Sequence, residues 1–242
     1  MDRNLLLDRK KVNEKQYHKQ SIKTAFLTTI PVMTGYLVLS IGFGVLLNTK
    51  GYGVPWALAM SLGIYAGSMQ FVAIDLLGAG ASLITVALTT LTVNARHLFY
   101  GISMIDKYEN TGKIKPYLMF SLTDETYSLV CNDAPSKELV DKKSYYFFVS
   151  LFNQLYWVIG SVIGVLLGAV IPFNTEGIDF ALTALFITVF VEQWLEAKNH
   201  LPAIIGVVAS VINLLIFGSD NFLIPSMISI VVILTLLRKK EG

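Results

Sequence analysis

Apolar runs of bilayer length constrain this chain more than any other feature. Residues 24–47, 56–77, 83–104 and 145–171 are each almost free of charge and at least 20 residues long. A helix needs about 20 predominantly apolar residues to cross a hydrocarbon core. Composition agrees: 54% of residues are hydrophobic and 15% charged, with mean hydropathy +0.59, where soluble domains carry about 25% charged residues. The pattern predicts an all-α integral membrane protein, a bundle of seven to eight transmembrane helices. Some of these would be broken or re-entrant, and an inverted repeat, frequent in transporter folds, is hard to see in one sequence.

Further runs complete the set. A shorter one, "YLMFSLTDETYSLVC", starts at Tyr117; others cover 180–195, 201–217 and 222–237. The fourth and seventh are short enough to be half-length or re-entrant, which leaves seven spans as the alternative to eight. Pro31 and Gly35 are expected to kink the first. One transmembrane domain is expected over 24–237, between polar tails at 1–23 and 238–242. The N-terminal tail is too long and too charged to be the basic lead of a secretory signal. Cys131 is the single cysteine, so no internal disulfide can form.

Basic residues orient membrane helices, because cytoplasmic flanks are enriched in Lys and Arg. Arg3, Arg9, Lys10, Lys11, Lys15, Lys19 and Lys23 precede the first run; Lys137, Lys142 and Lys143 precede the fifth; Arg238, Lys239 and Lys240 end the chain. Eight crossings place all three groups on one side, with the N-terminus cytoplasmic. Lys107, Lys113 and Lys115 do not fit, since eight crossings put them outside.

Polar residues inside apolar runs carry the functional signal. A charge at bilayer depth costs roughly 2.5–3.5 kcal/mol on insertion scales and usually faces a protein interior or a water-filled cavity. Arg96 and His97 lie in "LTVNARHLFYG", and Asp124 and Glu125 in "SLTDETYSL". Arg96 by itself would be read as snorkelling to an interface. Asn94 with His97, and Arg96 with Tyr100, share helix faces by their spacing, and an interfacial anchor needs no such neighbours. Arg96 is therefore expected to pair with Asp124 or Glu125 inside the bundle, and its planar fork suits a substrate carboxylate. The two acids are adjacent and diverge by about 100° on a helix, so one pairs while the other faces a cavity. A carboxylate in such a cavity can exchange protons near neutral pH, which makes Glu125, Asp124 and His97 the proton-coupling candidates. The plainer reading has Asp124 capping a helix at a break between half-helices.

In "GIYAGSMQFVAIDLL", Gly63 and Gly67 form a G-x-x-x-G spacing that permits close helix approach. Gly67, Ser68 and Gln70 also suit a locally unwound helix that offers backbone groups to a ligand. Asp75, Glu192 and Glu196 fit interfacial positions. No catalytic or phosphate-cradling motif occurs, and one histidine near two carboxylates is thin support for a metal. An enzyme, a metal and a cofactor are not expected.

Three stretches in this order and spacing carry a resemblance: Ala66, Gly67, Ser68, Gln70 and Phe71; then Asn94, Arg96, His97, Tyr100 and Gly101; then Thr123, Asp124, Glu125 and Tyr127. They resemble the large subunit of the AzlC type, from the bacterial branched-chain amino acid exporter family, most closely over about 24–132. The resemblance implies a transporter subunit of the bacterial plasma membrane that exports leucine, isoleucine or valine. It also implies a secondary energy source and a small partner of the AzlD type with about four spans. A zwitterion with an apolar tail needs a cation, an anion and apolar walls. Arg96, Asp124 or Glu125, and the surroundings of Phe71 and Tyr100 supply these types. The alternative is a scaffold or channel-like subunit whose buried charges hold the bundle together.

Overall fold

The computed structural model describes residues 3–131, 141–170, 187, 190–191, 194–195, 197, 199–218 and 222–241. Every regular element among them is helical. The helices are α1 (Arg3–Thr49), α2 (Val54–Gly63), α3 (Gly67–Gly78), α4 (Leu83–Val93), α5 (Ala95–Met104), α6 (Lys115–Phe120), α7 (Asp124–Cys131), α8 (Lys142–Val170), α9 (Leu201–Phe217) and α10 (Leu223–Glu241), with a 3-10 turn at Glu109–Ile114. The chain divides into two units, residues 1–179 and 180–242. Residues 17–49 of α1 and the whole of α8 are each long and apolar enough to cross a membrane. α1 runs unbroken through Pro31 and Gly35. The sixth expected run, with Glu192 and Glu196, lies largely outside the described residues.

α1 and α8 form the spine of the first unit, and they are parallel. Ser21 donates to the Asp141 carbonyl, Thr29 meets Tyr156, and Gly44 lies against Ser161 and Gly164. Small residues set the separation. A Cβ added to Gly44 would fall on the backbone of Ser161, and one on Gly160 on the Ser40 hydroxyl. Gly160, Gly164 and Gly168 recur every fourth residue, so they line one face of α8 and admit the α1 backbone. The expected Gly63–Gly67 packing face does not form. Gly63 ends α2 with none of the described residues packed on its α-carbon, while Gly67 begins α3.

Measured along this spine, the second run does not cross. α2 starts beside the end of α1 and descends until Ser61 donates to Ser161. The chain turns at Ile64–Ala66, where Tyr65 takes φ +42°, and Gly67 meets the Trp157 ring. α3 then climbs back, packing Phe71 on Phe43 at 5.7 Å. Gln70 Nε2 reaches Ser61 Oγ at 3.2 Å. Nine residues of straight helix span about 13 Å, so that contact requires a fold-back. The physical reason is the break at 64–66: a positive φ on a bulky residue reverses the chain and costs roughly 1–2 kcal/mol, and it is held by a ring only 2% exposed.

The third run does cross. α4 starts where α3 ends, the helix breaks at Asn94, and α5 runs on to Met104. Met104 and Tyr108 share a buried cluster with Ala25, Leu118, Val130 and Tyr146, at the opposite end of the spine. The fourth run folds back from that end. Tyr117 at its start donates to Gln154, Thr126 after the turn accepts from Asn153, and the turn itself meets Tyr36. Lys107 donates to the Cys131 carbonyl, and Ile114 lines a small cavity with His18, Lys143 and Ser144. The loop holding Lys107, Lys113 and Lys115 thus sits at the N-terminal end of α1 and α8. Its expected place on the far side is corrected: the second run makes a hairpin where a crossing was expected, so the loops between the second and fourth runs exchange sides, and the fold-back of the fourth run leaves the start of α8 on its expected side.

In the second unit, α9 and α10 pack against each other. Asn213 Nδ2 donates to the Ala209 carbonyl and, at 3.4 Å, to Ser229. Phe190, Trp194 and Val207 help line an apolar cavity of about 440 Å³.

Candidate functional site: a charged pair between two hairpin tips

Each of the three polar motifs sits at a helix break. Ala66 precedes α3, Asn94 separates α4 from α5, and Thr123 precedes α7. The first turns of α3, α5 and α7 meet at one guanidinium. Arg96 Nη1 lies 2.6 Å from Asp124 Oδ2, and Nη2 donates to Ser68 Oγ at 2.9 Å. A helix N-terminus leaves N–H groups unpaired and carries a partial positive charge. Three such ends and an arginine bring positive charge to this point, and the Asp124 carboxylate, with Glu125 beside it in the same turn, offsets it. The pair is partly buried, with side chains 31% and 15% exposed. Breaking it by removing one partner would strand the other charge in a weakly solvated place.

Ser68, Arg96 and Asp124 are thus in direct contact, and Tyr100 faces Asp124. The Tyr100 ring stacks on Tyr127 at 4.6 Å, which locks α5 to α7. Glu125 belongs to a neighbouring group. It accepts from Tyr36 Oη at 2.7 Å, and Tyr36 contacts Thr123 Oγ1 at 2.6 Å. Thr123, and not Asp124, caps α7 by accepting from the Thr126 backbone N–H; its hydroxyl is two bonds from the backbone and reaches the third N–H ahead. The remaining candidates lie further from the pair. Asn94 accepts the His97 backbone N–H through its carbonyl, and the His97 ring turns to that same carbonyl at 3.2 Å. Gln70 is fully buried on Ser61, and Phe71 packs on α1. Gly67 is where α3 approaches Trp157. Asp75 is exposed.

Three contributors escaped the motifs. Tyr36, Asn153 and Trp157 lie on α1 and α8, inside runs that read as plain spans. Their one signal was polar atoms at mid-run. The Gly160, Gly164 and Gly168 spacing was equally visible, and had the same form as the Gly63–Gly67 spacing. Among the described residues no group of His, Cys, Asp and Glu is placed to hold a metal ion.

These features define an all-α integral membrane protein with a charged centre built at broken helices. The AzlC protein family model matches residues 31–171, and the chain belongs to that family. It is 44% identical over 229 residues to the branched-chain amino acid transport protein AzlC of Bacillus subtilis, covering 94% of this chain and 89% of the relative. It is 45% identical over 221 residues to a membrane protein of Helicobacter pylori strain 26695, covering 91% and 96%. The inner membrane protein YgaZ of Escherichia coli is 28% identical over 192 residues, covering 76% and 78%. No solved structure matches the chain.

Proposed function

We propose that this chain is the large subunit of a secondary transporter that exports branched-chain amino acids, with Arg96 and its surroundings as the substrate site. One observation carries this reading: two hairpins enter from opposite ends of the spine, and their tips meet the broken third run at the Arg96–Asp124 pair. The convergent helix ends and Arg96 suit the substrate carboxylate, and Asp124 or Glu125 its ammonium. Aromatic and aliphatic side chains around the tips suit the apolar tail. Discontinuous helices meeting at mid-depth are a recurrent way of building transporter sites. The printed name of the Bacillus subtilis relative supports the substrate class.

The first tail, the Lys107–Lys115 loop and Lys142–Lys143 gather at one end of the spine, and we assign that end to the cytoplasm of the bacterial plasma membrane. The protein works as a heteromer with a small four-span subunit of the AzlD type. Export is driven by a proton gradient or the membrane potential. The chain is a single transmembrane domain over 24–237 with cytoplasmic tails.

Counterflow of labelled leucine in proteoliposomes tests the proposal, with and without the small subunit and a pH gradient. Leucine is expected to exchange, and Arg96→Ala to stop exchange without preventing membrane insertion. Normal exchange in that variant would refute the site; no exchange in the wild type would favour a scaffold subunit.

A further inference from the structure

A continuous chain of buried hydrogen bonds runs from Glu125 across three elements. Glu125 Oε2 accepts from Tyr36 on α1, Tyr36 contacts Thr123 at the hairpin tip, Thr123 contacts Thr126 at 3.0 Å, and Thr126 accepts from Asn153 Nδ2 on α8 at 3.0 Å. Tyr36, Thr123, Thr126 and Asn153 are all buried, Asn153 completely. Asn153 Oδ1 is buried without a hydrogen-bond partner among the described residues. A buried polar atom left unsatisfied is destabilising, so its presence at the end of a hydroxyl chain needs a reason.

Proton counting supplies one. Each hydroxyl has a single proton to donate. With Glu125 ionised, Tyr36 donates to it, the Thr123 hydroxyl, which here donates to Thr126, turns to Tyr36, Thr126 donates to Thr123, and the Asn153 amide donates to Thr126. With Glu125 protonated, its own O–H donates to Tyr36, Tyr36 to Thr123 and Thr123 to Thr126. Thr126 then needs an acceptor, and the unpartnered Asn153 Oδ1, once the amide turns over, is that acceptor. Every hydroxyl keeps its partners in both states. The one proton gained by Glu125 comes from water, the hydroxyl protons only rotate, and Tyr36 stays neutral.

We propose that Tyr36, Thr123, Thr126 and Asn153 are positioning residues that let Glu125 gain and lose a proton without breaking the link between the α6–α7 hairpin, α1 and α8. This deepens the transporter reading and rests on it for its physiological consequence. The charged and titratable groups facing Glu125 are Asp124 on its own helix, Arg96 and Tyr100 on α5, Tyr36 on α1 and Tyr65 at the tip of the other hairpin. Asp124 is ion-paired with Arg96 and Glu125 is not, although Asp124 Oδ1 and Arg96 Nε are buried without a hydrogen-bond partner among the described residues.

Infrared titration of the full chain in lipid nanodiscs tests this, read at the C=O stretch of the protonated carboxyl group. Glu125→Gln is expected to remove a titrating band. Tyr36→Phe keeps the ring against Trp157 and removes the first link; Asn153→Leu removes the last. Tyr36→Phe is expected to move the band's midpoint by about one pH unit towards alkaline pH, since the bond lost to the carboxylate is stronger than the one lost to the carboxyl; Asn153→Leu, which removes the acceptor that the protonated state needs, is expected to move it towards acid pH. Thr29→Val, which removes another buried hydroxyl contact between α1 and α8, is expected to leave the midpoint in place. A band that does not titrate, or an unchanged midpoint in both link variants, overturns the proposal. Leucine counterflow in the same preparations separates the two claims. Absent counterflow with a band that moves as expected sinks only the transporter reading; counterflow with an unmoved band sinks only the relay.

Discussion

The two hairpins of the first unit resemble each other in plan and differ in what holds them. The α2–α3 hairpin is seated mainly by shape: Gly67 against the Trp157 ring, Phe71 against Phe43, and one short run of hydroxyls and amide through Ser61, Ser161 and Gln70, with Ser68 at its tip accepting from Arg96. The α6–α7 hairpin is seated by polar groups, through the Tyr36–Thr123–Thr126–Asn153 chain and the Arg96–Asp124 pair. Packing contacts respond to volume and barely to pH or ligand. Polar links respond to protonation and to a competing anion. In the proposed site, a substrate carboxylate at Arg96 would compete with the charge of Asp124 on the second hairpin and with only a neutral hydroxyl, Ser68, on the first. The difference marks α6–α7 as the more responsive element and α2–α3 as the fixed wall.

The comparison fails outright if the runs do not fold back. Single cysteines at Lys50 and Gly80, in a Cys131→Ser background, are expected to be labelled from one face of the membrane, and a cysteine at Lys113 from the other. Labelling Lys50 and Gly80 from opposite faces would show a crossing. Next in size is Arg96→Ala, expected to lower leucine exchange by roughly 100-fold or more; Arg96→Lys should recover little, because a lysine cannot hold Ser68 and Asp124 together with a planar fork. Gly67→Leu should destabilise the shape-seated hairpin by about 1–3 kcal/mol through overpacking on Trp157. Trp157→Ala is expected to relieve part of that loss, which thermal unfolding in detergent would show as non-additivity. Thr126→Val should cost about 1 kcal/mol and make thermal stability less dependent on pH. Ser61→Ala, in the shape-seated hairpin, is expected to cost about 0.6 kcal/mol equally at every pH.

Particular residues show what was legible beforehand. Arg96 and Asp124 stood out because an uncompensated charge is costly at bilayer depth, and the structure joins them. The break at "SLTDE" was legible from polar residues in an apolar run, although the cap fell to Thr123. Tyr36 and Asn153 were hidden because a lone hydroxyl or amide in a span is unremarkable until its partner on another helix is known. The Gly63–Gly67 spacing misled because spacing predicts a shared face only within one continuous helix. Tyr65 leaves the helical region between them, and nothing in its residue type announces that.

Sequence alone determined that this chain is helical and membrane-embedded, because run length and the cost of exposed backbone in lipid leave a helix as the local solution. It also determined which charges need partners. Only the tertiary structure decided which runs cross and which turn back, which end of the spine gathers the basic loops, and which acid takes the arginine. Those outcomes depend on contacts between residues up to 127 positions apart, and hydropathy is the same whether a helix of ten residues goes on or returns.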